Sequence, residues 1–216
     1  MKKYIMFILI SLFVCFFVSS KYIVSAKLPL KGKTIAIDAG HGGKDPGTTY
    51  KDIYEKDINL KISLYLKQSL INLGANVIMT REGDYDLSSP SAYARKKSDF
   101  DNRIKLINNS GTDFYVSIHL NYLTDSRYSG AQVFALKDNM EYAKNIQDYL
   151  NKNLKGDRES KIIPVTTYMY RKLSIPGVLI ECGFLSNAAE RSKLINDKYQ
   201  KQVAGAIAKS ITNIDI

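Results

Sequence analysis

Apolar positions along the chain switch repeatedly between a strand-like run and a helical period. Thr34-Ile35-Ala36-Ile37-Asp38 reads as a buried strand. From Glu55 to Leu73, the residues Ile58, Ile62, Tyr65, Leu66, Leu70 and Leu73 recur on one helical face. Gly74 follows, where a positive φ ends a helix at low cost. Ala75 to Thr80 predicts the next strand, and Arg81 to Ser98, polar and holding Gly83 and Pro90, predicts a loop. Asp99 to Asn108 predicts a helix and Asp113 to His119 a strand. Ala131 to Leu136 predicts a strand, followed by a helix near Asn139 to Asn153. Lys155 to Ile163 reads as a charged loop and Tyr168 to Arg171 as a short strand. Val178 to Glu181 reads as a buried strand, with helices from there to the C-terminus. Strands alternating with helices predict an α/β sheet sandwiched between helices. No internal repeat, low-complexity tract or second domain interrupts the pattern.

The N-terminus departs from it. Met1 to Lys3 is basic, Tyr4 to Val18 is apolar except for Ser11, and Ser19, Ser20 and Lys21 close the run. That is the layout of a secretory signal, with Val24-Ser25-Ala26 as its cleavage site. The run is shorter than the roughly 20 apolar residues of a membrane span. An uncleaved anchor is the alternative, with Lys21 and Tyr22 at the membrane interface. The expected division is therefore residues 1–26 as signal peptide or membrane anchor and residues 27–216 as the folded domain. Membrane contact is expected only through the first of these, and the rest is expected to work outside the cytoplasmic membrane.

The 216-residue chain carries a formal charge of +10. Lys2, Lys3 and Lys21 fall in the acid-free N-terminal segment, so the remainder still carries +7 and favours anionic surroundings. The basic residues are scattered, with no finger spacing or aromatic RNA-binding signature, so no nucleic-acid partner is expected. The two cysteines are Cys15, inside the apolar run, and Cys182, which leaves no disulfide framework for the domain. Cys182 reads as a small buried hydrophobe.

The chain has two histidines, His41 and His119, each at the end of an expected strand. In open α/β sheets, sites gather outside the carboxyl ends of strands. Two imidazoles there suggest a metal site, and zinc takes His and carboxylate ligands. Glu55, opening the first long helix, is placed to point back at the same rim, and Glu181, ending a strand, is left over as a base beside a metal-bound water. Blander readings exist for each: a structural histidine, a Glu55 that favours the positive end of its helix, a Glu181 that caps or pairs. The segment Gly40-His41-Gly42-Gly43-Lys44-Asp45-Pro46-Gly47 fits neither phosphate-loop nor dinucleotide spacing. Small residues there let the backbone wrap closely around His41.

Four blocks in order carry a resemblance. They are Ile37 to Gly47, Glu55-Lys56-Asp57-Ile58-Asn59-Leu60, Ser117-Ile118-His119-Leu120-Asn121, and Glu181-Cys182-Gly183-Phe184-Leu185-Ser186-Asn187. Together they resemble the zinc-dependent N-acetylmuramoyl-L-alanine amidases of the Amidase_3 family, from about Lys33 to the C-terminus. The resemblance implies a single mixed, twisted sheet of about six strands with helices on both faces. It implies one Zn2+ held by His41, Glu55 and His119, with Glu181 as catalytic acid and base. The implied reaction is hydrolysis of the amide between N-acetylmuramic acid and L-alanine in peptidoglycan. A zinc peptidase acting on stem peptides and a vegetative wall-turnover amidase are the rival readings. Leu120 stands where the family usually has a small residue, which would alter the pocket wall. Arg103 has a fork suited to a stem-peptide carboxylate, a surface salt bridge being the plain alternative. Asp38 and Asn121 are candidates for orienting the ligands, or else turn residues. The compact build, without a wall-binding module, is similar to the family's sporulation amidases. It implies a role in the spore cortex and dependence on an unidentified activating or anchoring protein partner.

Overall fold

Alternation with period two sorts the strand residues onto two faces, and each face is covered by its own helices. The computed structural model describes residues 28–163 and 167–216. The N-terminal signal or anchor expected over residues 1–26, with its cleavage site, lies outside them. In chain order the elements are β1 (Thr34–Ala39), β2 (Thr49–Tyr50), β3 (Ile53–Tyr54), α1 (Glu55–Asn72), β4 (Asn76–Met79), α2 (Arg95–Asn108) and β5 (Phe114–Asn121). There follow β6 (Gln132–Ala135), α3 (Met140–Leu154), β7 (Lys161–Ile162), β8 (Gly177–Phe184), α4 (Ala188–Leu194) and α5 (Asp197–Ile211). Six strands form one sheet in the order β4-β1-β5-β8-β6-β7, and β2 and β3 make a separate hairpin. β1, β4, β5 and β8 are mutually parallel, and β6 runs antiparallel to β8, so the sheet is mixed.

On one face Ile35, Ile37, Val116, Ile118, Val178 and Ile180 join a core with α1, α3 and α5. Ile62, Leu66 and Leu70 of α1 are fully buried there, each such burial stabilising by about 1.5–3 kcal/mol. On the other face Ala36, Tyr115 and Leu179 pack against α2 and the segment holding Ile163, Met169 and Tyr170. Helix α1 ends in a paired C-terminal motif, with Gly74 at φ +96°, its N–H on Ile71 O, and Ala75 N–H on Leu70 O.

Three local expectations are corrected, and one hairpin was not foreseen. Helix α2 begins at Arg95 rather than Asp99, because its first turn presents exposed lysines with no apolar stripe to betray it. Residues 161–162 of the expected charged loop form the edge strand β7 beside β6, too short and too exposed to alternate. Tyr168 to Arg171 is not a strand; it is a turn leading into a 3-10 helix over Tyr170–Lys172, because Met169 and Tyr170 both bury against the α2 face. The β2–β3 hairpin was not legible, its strands being two residues each.

Candidate active site and metal centre

Parallel strands end on one edge of a sheet, and this chain places its chemistry there. Asp38, Ser117, His119 and Glu181 occupy alternate positions from the core residues Ile37, Val116, Ile118 and Ile180, so they belong to the α2 face. His119 and Glu181 are register partners across β5 and β8. His41 follows β1 at the same edge, and Glu55 is the first residue of α1.

Three groups converge. Glu55 Oε1 lies 3.2 Å from His41 Nε2 and 3.0 Å from His119 Nδ1. One ligand atom from each of His41, Glu55 and His119 lies within 4.8 Å of the others, a group able to hold a metal ion. Glu55 is buried and its carboxylate is held from the side. Thr48 N–H donates to Oε2 at 2.8 Å, while Leu120 N–H and Asn59 Nδ2 donate to Oε1 at 3.1 and 3.2 Å. Burial would raise this carboxyl, but the hydrogen bonds and charges of His119 and His41 hold it well below the usual range. For His41, burial works against the charged ring, yet the hydrogen bonds and charges of Asp45 and Glu55 bring it up to about 9. Asp45, 3.0 Å from His41 Nδ1, directs Nε2 toward Glu55.

The loop carrying His41 is forced into shape. His41 has φ +62°, in the left-handed region that non-glycine residues seldom adopt. Two buried arginines grip its carbonyls: Arg81 donates to Ala39 O and Gly40 O, and Arg103 to Ala39 O and His41 O. The glycines are needed for close approach, as expected. A Cβ on Gly40 would lie 2.3 Å from His119 Cε1, and one on Gly47 would lie 2.7 Å from both Glu55 Oε2 and His41 Cδ2.

Glu181 stands apart from the three. Its Oε2 is buried with no hydrogen-bond partner. Burial pushes its carboxyl up to about 7; His119 and His41 pull it down and Glu55 raises it further. A polar cleft of about 470 Å³ opens over His41, Glu55, His119 and Glu181, with Asn121 and Tyr122 on its wall. A second, more apolar cavity of about 260 Å³, lined by Phe100, Tyr168, Met169 and Leu179, adjoins the same histidines and Glu181.

The other candidates fall differently. Arg103 is 1% exposed, so it makes no surface salt bridge. Its fork is occupied by Asp38 Oδ1 at 2.8 Å and both Asp99 oxygens at 3.0 Å, rather than turned to a substrate carboxylate. Asp38 hydrogen-bonds to neither histidine ring; it accepts from Thr80, Arg103 and Ser117. Asn121 lines the cleft, and its backbone carbonyl accepts from Leu185 N–H. Leu120 is buried in the core beneath α1, and its N–H reaches Glu55. Cys182 is free and buried. Sequence reasoning missed Asp45, Asn59, Arg81, Ser117 and Tyr170. Asp45, Asn59 and Ser117 lay inside the ordered blocks already singled out for their chemistry, whereas Arg81 and Tyr170 lay outside them.

The chain matches the family model described as N-acetylmuramoyl-L-alanine amidase over residues 35–213. It is 44% identical over 191 residues to the germination-specific N-acetylmuramoyl-L-alanine amidase of Bacillus subtilis (strain 168), covering 85% of this chain and 80% of that protein. Among solved structures it resembles the CwlD amidase from Clostridioides difficile, determined in complex with the GerS lipoprotein. The TM-score is 0.79 at 41% identity, covering 84% of this chain and 98% of that one. An N-acetylmuramoyl-L-alanine amidase from Clostridium difficile 630 superposes with TM-score 0.74 at 32% identity, over 84% of this chain and 95% of that one. A match that runs over residues 35–213 and includes all four blocks around the cleft assigns this chain to the N-acetylmuramoyl-L-alanine amidase family.

Proposed function

We propose that this chain is a zinc-dependent amidase that releases stem peptides from muramic acid in spore peptidoglycan, acting outside the cytoplasmic membrane. The carrying observation is the convergence of the two histidines on Glu55 beside a buried carboxylate oxygen of Glu181 that lacks a partner.

The residues fit the metal. Two imidazoles and a carboxylate are a zinc donor set that leaves a fourth position open. His41 through Nε2, His119 through Nδ1 and Glu55 through Oε1 would hold it. Zinc bound there supplies Lewis acidity, polarising a carbonyl oxygen and lowering the pKa of a bound water to about 7. The unpaired Oε2 of Glu181 is the proton acceptor for the attacking water. Burial, which favours the protonated acid, prepares Glu181 to return that proton to the departing L-alanine nitrogen. Gly40 and Gly47 let the backbone pack directly against the His119, His41 and Glu55 side chains, and the polar cleft opens over these groups.

Likeness to a germination-specific amidase supports the spore-cortex role, and the CwlD–GerS complex supports a protein partner alongside the peptidoglycan substrate. Among the described residues no helix is long and apolar enough to cross a membrane, so the anchoring or export role rests on residues 1–26. The deciding experiment is mass spectrometry of muropeptides from purified peptidoglycan incubated with the protein. Glycan freed of peptide, with a new lactyl carboxylate, is the expected product. Shortened stem peptides still attached to muramic acid would mean a peptidase instead. Spores lacking the chain should be depleted of muramic lactam; normal content would refute the cortex role.

A further inference from the structure

A line of buried hydroxyls runs from the α2 face to the side of His119 that faces away from Glu55. Ser117 Oγ lies 2.6 Å from Asp38 Oδ2 and 3.0 Å from Tyr170 Oη, and Tyr170 Oη lies 3.5 Å from His119 Nε2. Asp38, Ser117 and Tyr170 are 1%, 0% and 5% exposed, so water does not compete for these bonds. Tyr170 is held in place by stacking on Tyr115, ring centroids 6.3 Å apart at 17°.

Proton counting gives the line a direction. Asp38 faces the buried guanidinium of Arg103 at 2.8 Å and also accepts from Thr80, so it is an acceptor only. Ser117 has one hydroxyl proton and donates it to Asp38. Between Ser117 and Tyr170, the donor must then be Tyr170. Its single proton is thereby used, and toward His119 the phenol oxygen can only accept. Toward Tyr170, Nε2 of His119 can therefore only donate, and a metal held by this ring would take Nδ1, in place of that atom's 3.0 Å contact with Glu55 Oε1.

We infer that Tyr170 and Ser117 are positioning residues that, backed by the Asp38–Arg103 pair, fix the His119 tautomer presenting Nδ1 to the metal. The inference rests on the zinc reading above. His41 has a one-step counterpart in Asp45, 3.0 Å from its Nδ1. The two imidazoles are thus oriented by different devices, a direct carboxylate for His41 and a carboxylate relayed through two hydroxyls for His119. The relay keeps the negative charge of Asp38 off the ring while still holding its N–H.

Tyr170→Phe tests this, because it removes the oxygen and keeps the ring on Tyr115. Outer partners of metal-bound histidines typically contribute about 10–100-fold in affinity, and a weakening on that order is expected in zinc competition against a chromophoric chelator. Ser117→Ala should weaken zinc in the same direction by less, and it carries the test if Tyr170→Phe does not fold. The chain has two histidines, so the ring-nitrogen spectrum of 15N-labelled protein reads each separately. In the zinc-loaded wild type, His119 should be metal-bound at Nδ1 and protonated at Nε2, and that proton should exchange with water faster in Tyr170→Phe. Wild-type zinc affinity in both variants, or metal on Nε2 of His119, would overturn the assignment. A wild-type chain that takes up no zinc would sink the metal reading beneath it as well, so the two failures are distinguishable.

Discussion

Glu181 and His119 sit side by side on adjacent parallel strands, register partners across β8 and β5. The imidazole reaches Glu55, while Oε2 of Glu181 keeps an unpaired, buried lone pair. In the proposed mechanism these adjacent positions serve separate tasks, His119 toward the metal and Glu181 toward the reacting proton. Glu181→Gln, nearly isosteric, should retain zinc and lower peptide release by about 10²–10⁴-fold. Zinc per chain by atomic absorption, read beside the rate on purified peptidoglycan, checks this. Wild-type activity would remove Glu181 from the mechanism, and lost zinc would move it among the ligands.

His119→Ala and His41→Ala should lose both metal and activity, since each removes one of the three groups, His41, Glu55 and His119, that could hold the ion. Dialysis against a chelator should abolish wild-type activity, and added zinc should restore it. A His119→Ala protein holding one zinc per chain would contradict the ligand set.

Gly40→Ala should damage zinc binding without replacing a ligand. Its Cβ would come within 2.3 to 2.7 Å of three atoms of the His119 ring, so the imidazole must move. Calorimetric titration with zinc is the measurement, and an unchanged affinity would show that the ring relocates freely.

Arg103→Ala should act through stability rather than substrate affinity. Breaking a buried pair strands its partners' charges, here Asp38 and Asp99, at a cost of about 3–5 kcal/mol. Urea unfolding measures the loss. A variant of normal stability with a raised KM would return Arg103 to the role of a substrate clamp.

In the zinc-free chain, stability should depend on pH through Glu181. Burial raises its carboxyl from 4.5 to about 7 in the folded state. Between these values the unfolded chain gives up the proton and the folded chain keeps it, so folding binds a proton. The contribution is fully present below pH 4.5 and is lost as pH rises through about 7. Zinc-free Glu181→Gln, lacking this titration, should gain on wild type across that window in guanidinium unfolding. A difference that stays flat with pH would exclude a raised Glu181.

Much of this protein was written into local patterns. The short, largely apolar runs of β1, β5 and β8 marked them as strands, because a strand covered on both faces buries nearly every residue. The stripe on α1 and the glycine after it marked a helix and its end. Two histidines at strand ends, a helix-opening glutamate and a leftover glutamate stood in ordered blocks, and parallel strands brought those ends to one edge. What the sequence left undecided depends on distant residues. Arg103 had the composition of a substrate clamp, and only the meeting of α2 with β1 turned it into a buried brace for Asp38 and the His41 loop. Tyr170 belonged to a segment that resembled a short strand. Its tertiary contacts with Ser117 and Tyr115 placed it at the start of a 3-10 helix and aimed its hydroxyl at His119. Periodicity reports which face a side chain takes, whereas a hydrogen bond between residues 51 positions apart exists only once the sheet and its covering segments have packed.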